Sequence, residues 1–338
     1  TFGAGAAGAG AASALGVPLP WLIGAIFATA ALRAARPAPA PPVRARKLGQ
    51  LVLGATVALN LTPEALASLG ALAPLMVVAA LLSIGAAAGI AVALSQLSPV
   101  DRRTAFFACM PGGVAEMSAL AEHYGARAPL VALAQSLRIV TVVVSVPIAM
   151  HLLAGAAPQS LTSAPPLGAG KIAPLLGLSF ILALCFDRWR VFNSWFLASI
   201  TVAGCLAASE AVAGSMPAPL SAVGQILVGS ALGARLDAAL IRDAGRIAPR
   251  FVAATAALIL ANAALAAVLA AAAPLDMRSL ALATAPGGIA EMSITAQELG
   301  AAVPAVAAFH FVRILLIVAL TAPLYARIFA PVWVDGRS

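Results

Sequence analysis

Apolar runs of 15 to 26 residues follow one another along nearly the whole chain, separated by short polar, proline-rich or glycine-rich breaks. Runs of that length without period-two alternation predict α-helices, and they exclude the alternating strands of an outer-membrane barrel. Six elements fall in each half. In the first they are Phe2–Gly16, Pro20–Ala35, Lys47–Leu61, Leu72–Leu97, Arg103–Tyr124 and Pro129–Leu153. In the second they are Lys171–Phe186, Ser194–Ala213, Leu220–Leu236, Pro249–Ala273, Ser279–Leu299 and Val303–Tyr325. The Pro/Ser/Gly-rich stretch around Gly155–Gly170 reads as a linker. The expected organisation is a membrane repeat over 1–153, a linker over 154–170 and a second repeat over 171–338.

Composition sharpens this to a polytopic membrane protein. Charged residues make up 9% of the chain and hydrophobic ones 62%, where a soluble domain carries about a quarter charged. Mean hydropathy is +1.02. The net charge of +8 comes from basic residues in short loops, where they orient helices. No solvated segment is long enough for a nucleic-acid-binding domain, so no nucleic-acid partner is expected. Cys109, Cys185 and Cys205 are too scattered for a disulfide framework or a CxxC pair. No secretory signal peptide is evident, because the first apolar stretch lacks a cleavage pattern.

The two halves repeat each other at a fixed offset of 175 positions. Pro111-Gly112-Gly113-Val114-Ala115-Glu116-Met117-Ser118 returns as Pro286-Gly287-Gly288-Ile289-Ala290-Glu291-Met292-Ser293. Asp101 maps to Asp276, Arg103 to Arg278, Gly125 to Gly300, Pro129 to Pro304 and Arg138 to Arg313. Upstream, Gly49-Gln50 maps to Gly224-Gln225, and Gly54 to Gly229. Between Pro111 and Val140, 15 of 30 positions match, which marks a duplicated unit rather than a chance motif. Transporters are often built from such repeats, with the working site at their interface.

Charge argues the topology. If all six elements of each half cross, Arg188, Arg190, Arg242, Arg246 and Arg250 fall outside, against the positive-inside rule. If each Pro-Gly-Gly element enters and leaves on one side, each half crosses five times and the second half is inverted. The basic loops then fall inside, with Arg278 the evident exception. The preferred fold is all-α, with two inverted repeats of about five crossings, each carrying a re-entrant or broken Pro-Gly-Gly element. Asp101 to Pro111 spans about 15 Å of helix, half the hydrocarbon core. Proline removes a donor there, and two glycines permit a sharp reversal. Such a break must face protein or a water-filled cavity, because lipid cannot satisfy its backbone.

Candidate chemistry gathers at the breaks. Glu116 and Glu291 lie in the first turn after each break. They fit a proton or cation site, and equally an N-terminal cap. Arg138 and Arg313 lie about 14 Å into their spans. They fit direct coordination of an anionic substrate, or an ion pair with Glu116 or Glu291. The pair is preferred, because an unpaired intramembrane charge is costly. The N–H groups after each break add a positive dipole end suited to an anion. Ser118 and Ser293 fit a pocket lining, although a serine bonded to its own helix is the commoner case. Thr295 and Gln297 continue the polar face. Gln50 and Gln225 either contact the hairpins or sit at a helix entrance. Gly229-xxx-Gly233 reads as close helix packing. His123, His151 and His310 are unmatched between repeats and lack ligand spacing, so neither a metal nor a cofactor is expected. No catalytic motif is present, and an enzyme is not expected.

The duplicated PGGxAEM segment, the upstream Gly-Gln-xxx-Gly and the Pro18–Gly24 stretch (Pro-x-Pro-Trp-Leu-x-Gly) resemble the AbrB-type integral membrane family. Members of that family carry the labels "ammonia monooxygenase" and "AbrB family transcriptional regulator". Three scattered histidines do not supply a copper site, and no basic reading element supports DNA binding. Any effect on gene expression would be indirect. The resemblance implies a fold but no substrate. The expectation is a multi-pass secondary transporter of the bacterial inner membrane, moving a small solute, an anion being one option. Ion or proton coupling would sit at Pro111, Gly112, Gly113, Glu116, Ser118, Arg138 and at Pro286, Gly287, Gly288, Glu291, Ser293, Arg313. The alternatives are a membrane sensor and, less favoured, a membrane monooxygenase. The expected partners are the substrate and the bilayer, and a homo-oligomer is compatible with the sequence.

Overall fold

Asparagine, aspartate, proline and glycine punctuate this chain, and the apolar runs between them form helices. The computed structural model describes residues 1–36, 38–154, 165–191, 193–236, 242 and 245–329. Most of the predicted linker therefore lies outside the described residues. The described helices are α1 (Phe2–Ala14), α2 (Pro20–Ala35), α3 (Val43–Ala58), α4 (Pro63–Leu97), α5 (Arg102–Cys109), α6 (Val114–His123) and α7 (Ala128–Ala154). They continue with α8 (Ala169–Arg188), α9 (Ser194–Ala208), α10 (Ala218–Gly233), α11 (Ile247–Leu269), α12 (Met277–Thr284), α13 (Ile289–Glu298) and α14 (Val303–Phe329). The architecture is all-α; among the described residues, strand pairing is limited to one bridge between Pro166 and Ser215.

Five helices, α4, α7, α8, α11 and α14, are long and apolar enough to cross a membrane, which makes this a multi-pass membrane protein. The other helices outside the Pro-Gly-Gly elements (α1, α2, α3, α9 and α10) run 13 to 16 residues. That is about 20–24 Å, short of a ~30 Å hydrocarbon core. Helix α4 begins at Pro63, earlier than the predicted Leu72. The Thr62 hydroxyl accepts the Ala65 N–H, and proline suits the first helical position, so the helix starts there and runs on through Pro74.

The chain divides into two units, each drawing on both halves of the sequence. The first comprises Thr1–Ala73, Val143–Asp237 and Gly288–Ala307; the second comprises Pro74–Val142, Ala238–Gly287 and Ala308–Ser338. In the first unit, α1 packs on α2, α2 on α10, α3 on α9 and α10, and α8 on α9. Small residues let these backbones touch. A Cβ on Gly49 would lie 2.9 Å from the Gly224 carbonyl oxygen, so two glycines matched across the repeat meet each other. A Cβ on Gly229 would lie 2.6 Å from the Leu22 oxygen, and one on Gly233 would strike the Ile26 carbonyl. The Gly229-xxx-Gly233 spacing is therefore a helix-packing device, as expected.

In the second unit, the first Pro-Gly-Gly element folds back on itself. Asp101 caps α5 by accepting the Thr104 N–H at 2.9 Å. Arg127, just past the end of α6, donates to the same carboxylate at 3.3 Å, and its own N–H donates to the Thr104 hydroxyl. The start and end of the element thus lie side by side, as a hairpin requires. Burial raises the Asp101 carboxyl, but the Thr104 amide and hydroxyl and the Arg127 guanidinium outweigh it and hold it below the ordinary carboxylate range. Phe106, Phe107, Tyr124 and Tyr325 pack ring to ring and fix this base against the end of α14.

The half-helices after the breaks end alike. Gly125 and Gly300 adopt φ of +69° and +66°. The Ala126 N–H bonds back to the Ala121 carbonyl, and the Ala301 N–H to Ala296, giving a Schellman ending in each case. Gly125→Ala is expected to cost about 1 kcal/mol in a denaturation midpoint, because a Cβ is strained at this φ.

Candidate functional site

Breaking a helix at membrane depth strands two sets of backbone groups, the carbonyls before the break and the N–H groups after it. The two sets are treated differently here. At the first break, Arg138 Nη1 donates to the Met110 carbonyl at 2.7 Å and Nη2 to the Gly112 carbonyl at 2.8 Å. Gln135, one turn earlier on α7, adds bonds to the Phe107 carbonyl at 2.7 Å and to Met110 at 2.9 Å. At the second break, Arg313 donates to Ala285 and to Gly287, both at 2.5 Å. Ala285 and Gly287 lie 175 positions from Met110 and Gly112, so the bonding scheme repeats with the sequence. The donors for each break sit in the second unit together with the carbonyls they hold.

This corrects the preferred ion pair. Among the described residues, neither guanidinium bonds Glu116 or Glu291; ion pairs lie elsewhere, Lys47–Asp187 and Arg127–Asp101 among them. Physically, a guanidinium is a better match for a broken helix end than for a distant carboxylate. Its fork spans two carbonyls, its charge complements the negative dipole end, and the bonds are charge-assisted. Both guanidiniums are buried, at 4% and 3% exposure, and they act on each other electrostatically.

The glycines also work differently from expectation. None of Gly112, Gly113, Gly287 and Gly288 has positive φ; Gly113 and Gly288 are extended, at −74° and −85°. Two of them leave space that side chains of the following helix occupy. A Cβ on Gly112 would press within 2.9 Å of the Met117 side chain, and one on Gly288 would collide with the Glu291 carboxylate. Glu291 thus folds back toward the start of its own helix, the placement of a first-turn acid at a positive dipole end.

The N-cap residues of α6 and α13 contribute no side chain. Gly113 and Gly288 occupy the capping positions and offer no side-chain bond. Ser118 and Ser293 carry buried hydroxyls with no partner among the described residues, contrary to the expected bond to their own helices. Thr295 does make that ordinary bond, to the Glu291 carbonyl. Gln297 Oε1 is a further unpartnered buried atom on α13. Of the upstream glutamines, Gln50 donates to Asn193 at 2.8 Å, fastening α3 to the start of α9. The Gln225 Oε1 is buried without a partner.

Gln135 is the residue that the repeat comparison passes over, because its counterpart is His310 rather than glutamine. Its signal was the Gln135-x-x-Arg138 spacing, which sets two donors on one helix face.

Comparison with known proteins agrees with this picture at the level of family. The family model described as "Transition state regulatory protein AbrB" matches residues 21–330. A Bacillus subtilis (strain 168) protein named "Uncharacterized protein YhjN" is 26% identical over 95% of this chain and 90% of its own length. An Escherichia coli (strain K12) protein named "Putative regulator AbrB" is 26% identical over 82% of this chain and 80% of its own length. No solved structure matches the chain.

Proposed function

We propose, on the premise that this chain belongs to the AbrB family, that it is a secondary transporter of the bacterial inner membrane. Each break is read by itself: a small solute would be held at the start of the helix that follows it, α6 in the second unit or α13 in the first. One observation carries the reading. The protein supplies its own donors to the carbonyl side of each break, whereas on the N-terminal side the N-cap is a glycine and a buried serine hydroxyl on the following helix has no partner among the described residues. Carbonyls held internally on one side and a positively polarised helix start with a spare hydroxyl on the other make an arrangement that a solute with acceptor oxygens would complete. Glu116 and Glu291 stand in the first turns of these helices and would exchange a proton or cation as the solute moves. Arg138 and Arg313 would act as positioning residues that hold the breaks open. The reading involves no bond-making step, cofactor or resident metal.

A second reading is favoured by the name of the Escherichia coli relative and by the family description, both of which speak of regulation. In it, the same site senses the solute without moving it, and gene expression responds indirectly. Proteoliposomes separate the two. For a solute that stabilises the purified protein, the transporter reading expects uptake driven by a pH or sodium gradient. It expects Glu116→Gln and Glu291→Gln to abolish accumulation while binding persists. Binding without flux would establish the sensor. Undiminished accumulation in both folded variants would remove the carboxylates from coupling.

A further inference from the structure

Side-chain bonds fasten the start of α3 to the turn between α8 and α9, all within the first unit. Lys47 donates to Asp187 at 2.7 Å and stands 5.5 Å over the Trp195 ring. Gln50, one turn further along α3, donates to Asn193 at 2.8 Å. Ser194 donates to the other Asp187 oxygen at 3.1 Å. Asp187, the one acid of this turn, is thus matched by Lys47. The basic residues around these bonds are not matched. Arg44 lies three positions before Lys47, on the same face of α3, and Arg188 and Arg190 stand at the end of α8. All three are exposed, and none has a hydrogen-bond or ion-pair partner among the described residues.

An apolar track leads to these cations. Leu178, Ile181, Leu184 and Arg188 recur at three- and four-residue spacing, so they share one face of α8. The three hydrophobic residues are about half exposed. Of the five spans, α8 is the least covered by protein, with 17% of its apolar stretch buried. Trp189, 72% exposed, follows Arg188 at the end of the track, and indoles favour the level where acyl chains meet head groups.

The first repeat lacks the cluster. Leu19 and Asn193 are both left-handed N-caps, and Trp21 and Trp195 lie two positions after them, so these turns align at an offset of 174. Ala14, Leu15 and Gly16 stand there in place of Arg188, Trp189 and Arg190, and Ser13 in place of Asp187. The same turn therefore forms without the charges, and its geometry does not require them.

We infer that this corner binds one anionic glycerophospholipid, with its phosphate held by Arg44, Arg188 and Arg190 and an acyl chain lying along Leu178, Ile181 and Leu184. Guanidiniums match phosphate oxygens through charge-assisted bonds. An acidic peptide would satisfy the cations but not the apolar face of a span. A zwitterionic lipid would cover that face but leave the three positive charges unbalanced. The bonds through Lys47 and Gln50 hold α3 against the α8–α9 turn before any lipid arrives, which lowers the ordering cost of binding. The inference concerns the membrane-facing surface and does not rest on transport.

The test titrates the purified, delipidated protein in neutral detergent with phosphatidylglycerol or with phosphatidylcholine of the same acyl chains. Native mass spectrometry reads the first bound lipid. Each arginine beside an anionic head is expected to contribute about fivefold, so the native protein should prefer phosphatidylglycerol by about a hundredfold. Arg188→Gln combined with Arg190→Gln should lower that preference by about twentyfold, and Arg44→Gln, a separate change on α3, by about fivefold. Arg102→Gln combined with Arg327→Gln removes the same charge from exposed positions of the second unit and should change it by less than about twofold. Equal binding of the two lipids by the native protein would overturn the inference. So would a loss in the Arg188/Arg190 pair, or in Arg44→Gln should that pair not fold, no larger than in the control pair, because the attraction would then be diffuse. Displacement of the lipid by an equal concentration of glycerol phosphate would show that a head group alone suffices, and would overturn the assignment to a lipid.

Discussion

Arg138→Ala is expected to destabilise the protein by about 3 kcal/mol, whereas Glu116→Gln should change stability by less than about 1 kcal/mol. The reasoning follows from who holds the broken helix. Removing the guanidinium strands the Gly112 carbonyl and leaves Met110 with Gln135 as its remaining side-chain donor. A buried acceptor without a partner costs about 1–3 kcal/mol, and a charge-assisted bond is worth about 1.5–3 kcal/mol. Deleting a long buried side chain adds a cavity term. Glu116 makes no bond to Arg138, so neutralising it removes no support from the break. Had the two formed a locking ion pair, both variants would fall together. Unfolding midpoints of the purified variants in mixed detergent read the difference. Equal destabilisation by Glu116→Gln would mean that the carboxylate carries the guanidinium after all.

Gly229→Leu carries a comparably large expected effect, about 3 kcal/mol, and it acts at a different place. Helix α10 meets α2 through backbone, with a Cβ at Gly229 only 2.6 Å from the Leu22 oxygen and 3.0 Å from the Ala25 methyl. Backbone cannot rotate aside as a side chain can, so the helices must part. Overpacking of this kind costs about 1–3 kcal/mol and occasionally more. Membrane helices have no hydrophobic gain with which to offset it. A matching change at an open position sets the scale. Gly70 has nothing within 4 Å of its Cβ, and Gly70→Leu should leave the midpoint within about 0.5 kcal/mol. Similar midpoints for the two variants would remove the α2–α10 contact from the account.

What the sequence made legible follows the range of the interactions involved. Asp101, Asp276, Gly125 and Gly300 act within a few residues of themselves, and the repeat singled them out, although their capping roles emerge only with the structure. The break at Pro111 was equally visible, since proline lacks a donor wherever it stands. The partner of Arg138 was not, because it is a pair of carbonyls 26 and 28 residues away, and every residue type carries a carbonyl. A search for opposite charges finds Glu116 instead. Likewise, the glycines of the motif suggested backbone freedom for a sharp reversal, but φ depends on the path of the chain. Only the packed neighbours Met117 and Glu291 reveal that the space beside Gly112 and Gly288 is filled by side chains of the following helix. The free hydroxyls of Ser118 and Ser293 belong to the same class, since whether a serine bonds its own helix depends on its rotamer rather than its identity.

The central claim, that the helix start after each break (α6 in one unit, α13 in the other) holds a solute, is tested most directly by thermal stabilisation. The purified protein is melted against small organic anions, amino acids and cations over a range of pH. The account predicts a solute whose stabilisation follows RT ln(1 + [L]/Kd), about 2.7 kcal/mol at a hundredfold excess over Kd. That stabilisation should be lost in folded Ser118→Ala and Ser293→Ala. A solute that stabilises these variants as strongly as the native protein binds elsewhere, and would contradict the claim.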